Sequence, residues 1–494
     1  MKKLPVIALV LFAALLAVNA GILRNPPFWD DILGLHHQAL QLSRNGMSYA
    51  ELAKSGNFWQ GGSLVYRWNV LPFVYALGYM LFTPETVRFL GHLFNLGCLA
   101  GAAALAIRLL LYFRFDARTA YLWGFAMLAE PVLAAQGAAL GQEPPLVLTG
   151  ALLVYWTARK KYRLALLALI LIGAVKLVAV IPAAALLFFF LVRAAFAPEK
   201  RRELLALGAA ALGLAVLGGI LLALDSDGAE QGAAGGAFLK LLALKIKEHF
   251  YYYFPIIAVL LAALALLTLG HLVKLLRRRK RPGELDLFKL FLLLLLGGFW
   301  ASYFLYSVPL PRYTAFAVMP LYLALALSLP RRRAPAAGAA LLLTGLLFAN
   351  GGFYPKLPPP RRYSGEYLER SREFLKQLDF DRELCRRLAA DCGELPLVTK
   401  WPYTQMFADP AYGYVEKAYP QLRCAGTLPK AYPNIVKYPE NSLAKSTDAV
   451  YIFVCNSFEF FRDFGVPLPP RPGDRIIFAG KDLEAPFIVY RRSE

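Results

Sequence analysis

An α-helical polytopic membrane protein, with about eleven transmembrane helices and a small extracytoplasmic α/β domain at its C-terminal end, is the fold class this 494-residue chain predicts. Three observations predict it. Apolar and aromatic residues make up 58% of the chain, with a mean hydropathy of +0.47. Apolar runs of roughly 18 residues, enough to cross about 30 Å of hydrocarbon, recur along the first 350 positions. The 54 Lys and Arg against 33 Asp and Glu (net charge +21) fall in short clusters between those runs: Lys2-Lys3, Arg159 to Arg163, Lys200 to Arg202, Arg277 to Arg281 and Arg331 to Arg333. Charge distributed that way orients helices in a bilayer by the positive-inside rule, which argues against a nucleic-acid partner.

The first run, Leu4 to Val18, is read as a retained first helix, although Val18-Asn19-Ala20 also resembles a cleavage site. Either way Trp29-Asp30-Asp31 lies just beyond it. A first outer loop follows over 24–85. In it Ile32, Leu35, Ala39 and Leu42 recur at helical spacing, with His36, Gln38, Gln41 and Arg44 on other faces, as in an interfacial amphipathic helix. A second short helix is expected around Tyr49 to Lys54, ahead of Gly61-Gly62. The stretch Trp68 to Phe82 is short for a span and contains Pro72 and Gly78. It is taken as interfacial or re-entrant, because a full crossing would invert the later basic clusters.

Spans are then expected near 86–107, 119–139, 145–158, 164–177, 178–193, 203–224, 251–273, 286–308, 313–329 and 335–353. The pair over 164–193 is read either as two short spans split around Lys176 or as one long helix kinked at Pro182. This places residues 1–353 in a transmembrane domain and 354–494 in a soluble one, joined by a linker holding Pro355 and Pro358 to Pro360. The soluble part mixes helix-like Gly365 to Arg387 with strand-like Leu395 to Thr399, Ala449 to Val454, Asp474 to Phe478 and Phe487 to Tyr490. Four of the five cysteines, Cys385, Cys392, Cys424 and Cys455, lie there, and an even set suggests disulfides and an oxidising compartment.

Several polar residues would face the same outer side. Asp30 and Asp31 are adjacent carboxylates at a membrane boundary, where charge is costly unless it meets water or a partner. Glu143 sits in a tight turn, Gln142-Glu143-Pro144-Pro145, held by two prolines; a carboxylate favoured at a helix N-terminus is the plainer reading. Lys176 is a lone cation in an apolar stretch, suited to a lipid phosphate or to snorkelling. His249 precedes Tyr251 to Tyr253, an interfacial belt in which the imidazole could meet a metal or phosphate. Arg312-Tyr313 stands at a span mouth, and a guanidinium matches phosphate geometry.

Their order along the chain is more specific than any one of them. An outer acidic pair, interfacial helices, Glu143 before Pro in the next outer loop, Gly173-Ala174-Val175-Lys176, His249 before a Tyr-rich helix start, and Arg312-Tyr313 with Pro320 farther on together resemble the GT-C superfamily of membrane glycosyltransferases. The chain looks most like its protein O-mannosyltransferase and aminoarabinose-transferase branch. The resemblance covers residues 1–353. It implies transfer of a sugar, with inversion, from a polyprenyl-phosphate donor to an extracytoplasmic acceptor, across a bacterial inner membrane with the C-terminal domain periplasmic. Asp30, Asp31 and Glu143 would be catalytic, Lys176, His249, Tyr253, Arg312 and Tyr313 would bind substrate or phosphate, and Asp30, Glu143 and His249 are candidate ligands of a divalent metal ion. A transporter or flippase of lipid-linked sugars and a non-catalytic glycan-assembly scaffold are the alternatives.

Overall fold

The computed structural model describes residues 4–29, 31–48, 70–225, 236–278, 283–305, 310–356, 365–391, 396–399, 403–425, 435–438, 450–454, 472–482 and 485–491. Asp30, the helix expected around 49–54, Gly61-Gly62, Trp68, the prolines 358–360, Cys392 and Cys455 lie outside the described residues.

Helices dominate, and most expected spans are met by one. Among the described residues four helical stretches are long and apolar enough to cross a membrane: Leu4–Ile22, Pro84–Tyr112, Pro198–Ile220 and Glu284–Leu305. Leu242–Tyr253 and Pro255–Gly270 make a fifth if that pair, bent by 115°, is one span. Shorter apolar helices occupy Leu71–Leu81, Tyr162–Val175, Val180–Phe196 and Ala334–Phe348. Large apolar side chains stand exposed on several of these, among them Leu9, Leu81, Val259, Leu266 and Leu346. In water such a surface would be unfavourable; it fits contact with lipid.

At the centre lies Ala315–Ser328, apolar on every face and buried from Ala315 to Leu327. It packs against Pro84–Tyr112, Glu143–Ala158, Pro255–Arg278 and Glu284–Leu305. Small residues permit the close approach. A Cβ on Gly150 would lie 2.5 Å from the Phe316 ring, so only glycine lets these two helices meet there.

Two stretches depart from the sequence expectation, and another, over 164–193, follows the first of its two readings. The span expected over 119–139 is two helices, Ala117–Leu128 and Pro131–Ala138. Pro131 has no N–H to continue the first, and the Glu130 carboxylate accepts from the Val132 and Leu133 amides to start the second. Over 164–193 the interruption is at Lys176, whose backbone is extended (φ −159°, ψ 143°), and not at Pro182, which sits in the first turn of Val180–Phe196 where a missing N–H costs nothing. The helix after Asp31 is the second departure: it has no free polar face. A π-helical turn, Ile32–His37, runs into Gln38–Arg44, and His36, His37, Gln38 and Gln41 are all buried. C-terminal residues and Leu71–Leu81 cover it: His37 Nδ1 lies 3.1 Å from the Tyr412 hydroxyl, and Arg44 pairs with Asp409 at 2.7 Å. Burial pushes both imidazoles down to about 3, so they are neutral at ordinary pH.

The C-terminal residues form helices Gly365–Leu368 and Phe374–Asp391 and a mixed six-stranded sheet. Its strands are β1 (Leu397–Thr399), β2 (Leu422–Ala425), β3 (Ile435–Tyr438), β4 (Val450–Val454), β5 (Arg475–Asp482) and β6 (Ala485–Arg491), in the order β3-β2-β1-β4-β6-β5. Pairings among the first four are parallel, and β6 runs antiparallel to β4 and β5. Cys385 is a buried free thiol on Phe374–Asp391, which corrects the expectation that all four C-terminal cysteines pair. An apolar helix face packs a small unpaired thiol as readily as it packs alanine.

Candidate active site

Five charged side chains from distant parts of the sequence converge where several helices begin or break. Asp31 stands at the head of the helical segment that follows it, yet its side chain makes no capping hydrogen bond. The carboxylate instead approaches Gly141 and Arg312. A Cβ on Gly141 would lie 3.1 Å from Asp31 Oδ1 and 2.7 Å from Glu143 Oε2. Glycine at 141 therefore lets two carboxylates share one small volume.

Glu143 opens Glu143–Ala158, with prolines following to set the backbone. Its side chain is 2% exposed. Oε1 receives Lys176 Nζ at 3.1 Å and has Arg312 Nε at 3.7 Å. Oε2 has no hydrogen-bond donor among the described residues. Lys176 reaches this point because the helix breaks at its own residue, and its ammonium also lies 4.0 Å from the Tyr313 ring centre.

Arg312 comes from the 3₁₀ turn Pro311–Thr314 at the entrance to the central helix. It is 7% exposed and touches three acids: Nη1 donates to Glu369 Oε1 at 3.2 Å and lies 3.9 Å from Asp31 Oδ1, while Nε faces Glu143. Glu369, 1% exposed, is the member that the sequence did not reveal. It follows Gly365–Leu368 in a stretch rich in Arg and Glu, where nothing distinguishes it from solvated charge. Three carboxylates thus share two cations. Desolvated charge of this density is costly, and removing one member of such a set typically costs about 3–5 kcal/mol because its partner is left buried and uncompensated.

The segment before Asp31 is held from the C-terminal side. Trp29 has a positive φ of 29°, a conformation that costs a bulky residue roughly 1–3 kcal/mol, and its indole donates to Asp381 Oδ2 at 2.9 Å. Phe28 packs on Phe374, and the Tyr414 hydroxyl donates to the Pro27 carbonyl.

Of the residues expected from sequence, Asp31, Glu143, Lys176, Arg312 and Tyr313 come together. His249 and Tyr253 belong to an aromatic cluster instead. His249 Nδ1 is 3.0 Å from the Tyr303 hydroxyl, with the rings of Tyr253, Phe254 and Phe304 around it. Tyr253 stacks on Tyr367, two residues before Glu369, so this cluster buttresses the acidic segment from outside. The suggested metal ligands Asp30, Glu143 and His249 are not seen together among the described residues. Asp30 is outside the described residues, Glu143 already holds Lys176, and among the described residues no three His, Cys, Asp or Glu side chains gather as metal ligands.

No protein-family model matches this chain, and no curated protein does. Solved structures do. ArnT from Cupriavidus metallidurans in the apo state is 13% identical, with 97% of each chain covered and a TM-score of 0.49. The same protein bound to undecaprenyl phosphate is 15% identical, covering 99% of this chain and 97% of that one, with a TM-score of 0.50. At such identities the likeness is one of fold. The chain has an ArnT-like fold along nearly its whole length, in keeping with the GT-C resemblance in its sequence.

Proposed function

We propose that this chain is an integral membrane glycosyltransferase that moves a sugar from a polyprenyl-phosphate donor to an extracytoplasmic acceptor. The observation that carries the reading is the buried group of Asp31, Glu143 and Glu369 around Lys176 and Arg312. The fold it shares with a protein solved bound to undecaprenyl phosphate supports a lipid-linked substrate. The distribution of basic clusters supports an inner-membrane protein whose C-terminal residues and acid group face the periplasm.

The residue types suit the chemistry. An acceptor hydroxyl attacks the anomeric carbon on the face opposite the phosphate, giving inversion. Asp31 takes the hydroxyl proton as the new C–O bond forms. Its contact with Arg312 is the longest of the three acid contacts to that residue, so it surrenders the least in accepting a proton. Assistance of this kind is worth about 10²- to 10⁴-fold. The bond from the anomeric carbon to phosphate oxygen breaks, and polyprenyl phosphate leaves with the electron pair. Lys176 and Arg312 stabilise its charge from a site shielded from water, where each fixed charge acts more strongly than in solution. Glu143 holds both cations in place until phosphate arrives, and Tyr313 supports the ammonium from its ring face.

Purified protein in liposomes, given a radiolabelled polyprenyl-phosphate sugar and a periplasmic and membrane extract as the source of acceptor, should move the sugar from its carrier to an acceptor, and Asp31→Asn should abolish turnover without loss of folding. Full activity in Asp30→Asn, Asp31→Asn and the double variant would overturn the catalytic assignment. The helix breaks at Lys176 and Phe254 give one ground for a flippase, since transporters use interrupted helices at their binding sites. Transbilayer movement of the labelled lipid with the sugar still attached would favour that reading.

A further inference from the structure

We infer that Asp381 is a positioning residue that sets the Asp31 carboxylate through Trp29; the inference rests on the glycosyltransferase reading above. Asp381 lies in the middle of Phe374–Asp391 and is fully buried. Its two oxygens accept three hydrogen bonds: Oδ2 from Trp29 Nε1 at 2.9 Å, and Oδ1 from Gln377 Nε2 at 2.8 Å and the Tyr403 hydroxyl at 2.9 Å. Gln377 and Tyr403 fix the carboxylate on its own side, leaving Oδ2 aimed at the indole.

The indole is coupled to the acid two residues on. The Asp31 amide donates to the Phe28 carbonyl at 2.8 Å, and the Ile32 amide to the Trp29 carbonyl at 3.0 Å. These two hydrogen bonds tie Trp29, in its positive-φ conformation, and Phe28 to Asp31 and Ile32. Such a conformation persists only where the surroundings over-determine it. Here they do so through the Trp29 side chain, held by Asp381, and through Phe28 against Phe374 at 5.1 Å. Were the indole released, this segment would relax toward ordinary backbone angles and swing Asp31 away from Gly141 and Arg312. An aspartate suits this task because Trp29, Gln377 and Tyr403 all donate to it. Asparagine offers one acceptor oxygen and must turn an N–H₂ group toward at least one of them.

The test compares Asp381→Asn, Trp29→Phe and the double variant. Trp29→Phe keeps the ring and removes only the donor, so it stays informative if Asp381→Asn fails to fold. Each single variant should lower kcat about tenfold or more with donor KM little changed, as expected for a misplaced reacting group. The double variant should be no slower than the worse single one, because both remove the same bond. Hydrogen exchange at the Asp31 and Ile32 amides should accelerate in both. Wild-type exchange there, or kcat losses that multiply in the double variant, would overturn the inference. If the wild type transfers no sugar, the function reading falls, and the exchange measurement alone decides whether Asp381 fixes this segment.

Discussion

The helix Val180–Phe196 has an ion-pair group at each end, and the two are built differently. In its last turn Arg193 grips Glu284 with both terminal nitrogens, at 2.7 and 2.8 Å, and Lys160 joins Glu284 at 3.1 Å. Before its first turn, roughly 25 Å away along the axis, Lys176 and Arg312 serve three acids at distances that stretch to 3.9 Å. At the first, geometry is close to the ideal fork and Glu284 stays 57% exposed, so little remains to be gained by a ligand. At the second, everything is buried except the partly exposed Lys176, and one Glu143 oxygen lacks a described donor. One end holds two helices together through a close fork; the other gathers three acids around two cations at looser distances.

Substitution should separate the two ends. The largest effect is expected from Arg312→Lys, which keeps the charge but cannot span Asp31, Glu143 and Glu369. Donor turnover should fall about 10²- to 10³-fold, the scale for losing a preorganised charge at a developing anion. Arg193→Lys, the matching change at the other end, should leave kcat unaltered. Equal losses from the two would erase the distinction. Glu143→Gln comes next: with its carboxylate gone, Lys176 and Arg312 lose their shared anchor, and kcat should fall about tenfold to a hundredfold while the protein remains folded.

Much of this contrast was legible in the sequence, and the reason is cost. Glu143, Lys176 and Arg312 were conspicuous because each stands in apolar surroundings where an idle charge would be selected against on energetic grounds. Helix positions were legible because apolar length answers to bilayer thickness. Glu369 and Asp381 were hidden, since both lie in charge-rich helical stretches and acquire their roles only when the C-terminal residues fold back onto Trp29 and Arg312. The approach of Asp31 to Glu143 was hidden too, because nothing local shows that Gly141 leaves space for its carboxylate. His249 looked like a ligand for want of its partner, Tyr303, which is 54 residues away. The break at Lys176 was one of two readings open in the sequence, since Pro182 could equally have kinked a single helix; it sits instead in a first turn.

Smaller effects concern stability. Glu284→Gln should lower thermal stability by about 1 kcal/mol, typical of a pair with one exposed partner, with no change in turnover; a kinetic defect would show that the Arg193 end takes part in function. Acid sensitivity should come from the Asp31 side, where His36 and His37 are held neutral by burial at about 3. The unfolded chain binds protons at these residues below about pH 6.5 and the folded protein does not, so stability should decline as pH falls from there toward 3. Melting curves from pH 7.5 to 4.5 should show the decline, and His37→Gln should flatten part of it.

The central claim is that the Asp31 end breaks a sugar–phosphate bond. A donor carrying one label in the sugar and another in the phosphate, incubated with the protein in liposomes and a periplasmic and membrane extract as the source of acceptor, tests it most directly. The phosphate label should stay with the polyprenyl lipid while the sugar label leaves it, at a rate that Arg312→Lys cuts and Arg193→Lys does not. Both labels remaining on one lipid, whichever leaflet it occupies, would contradict the account.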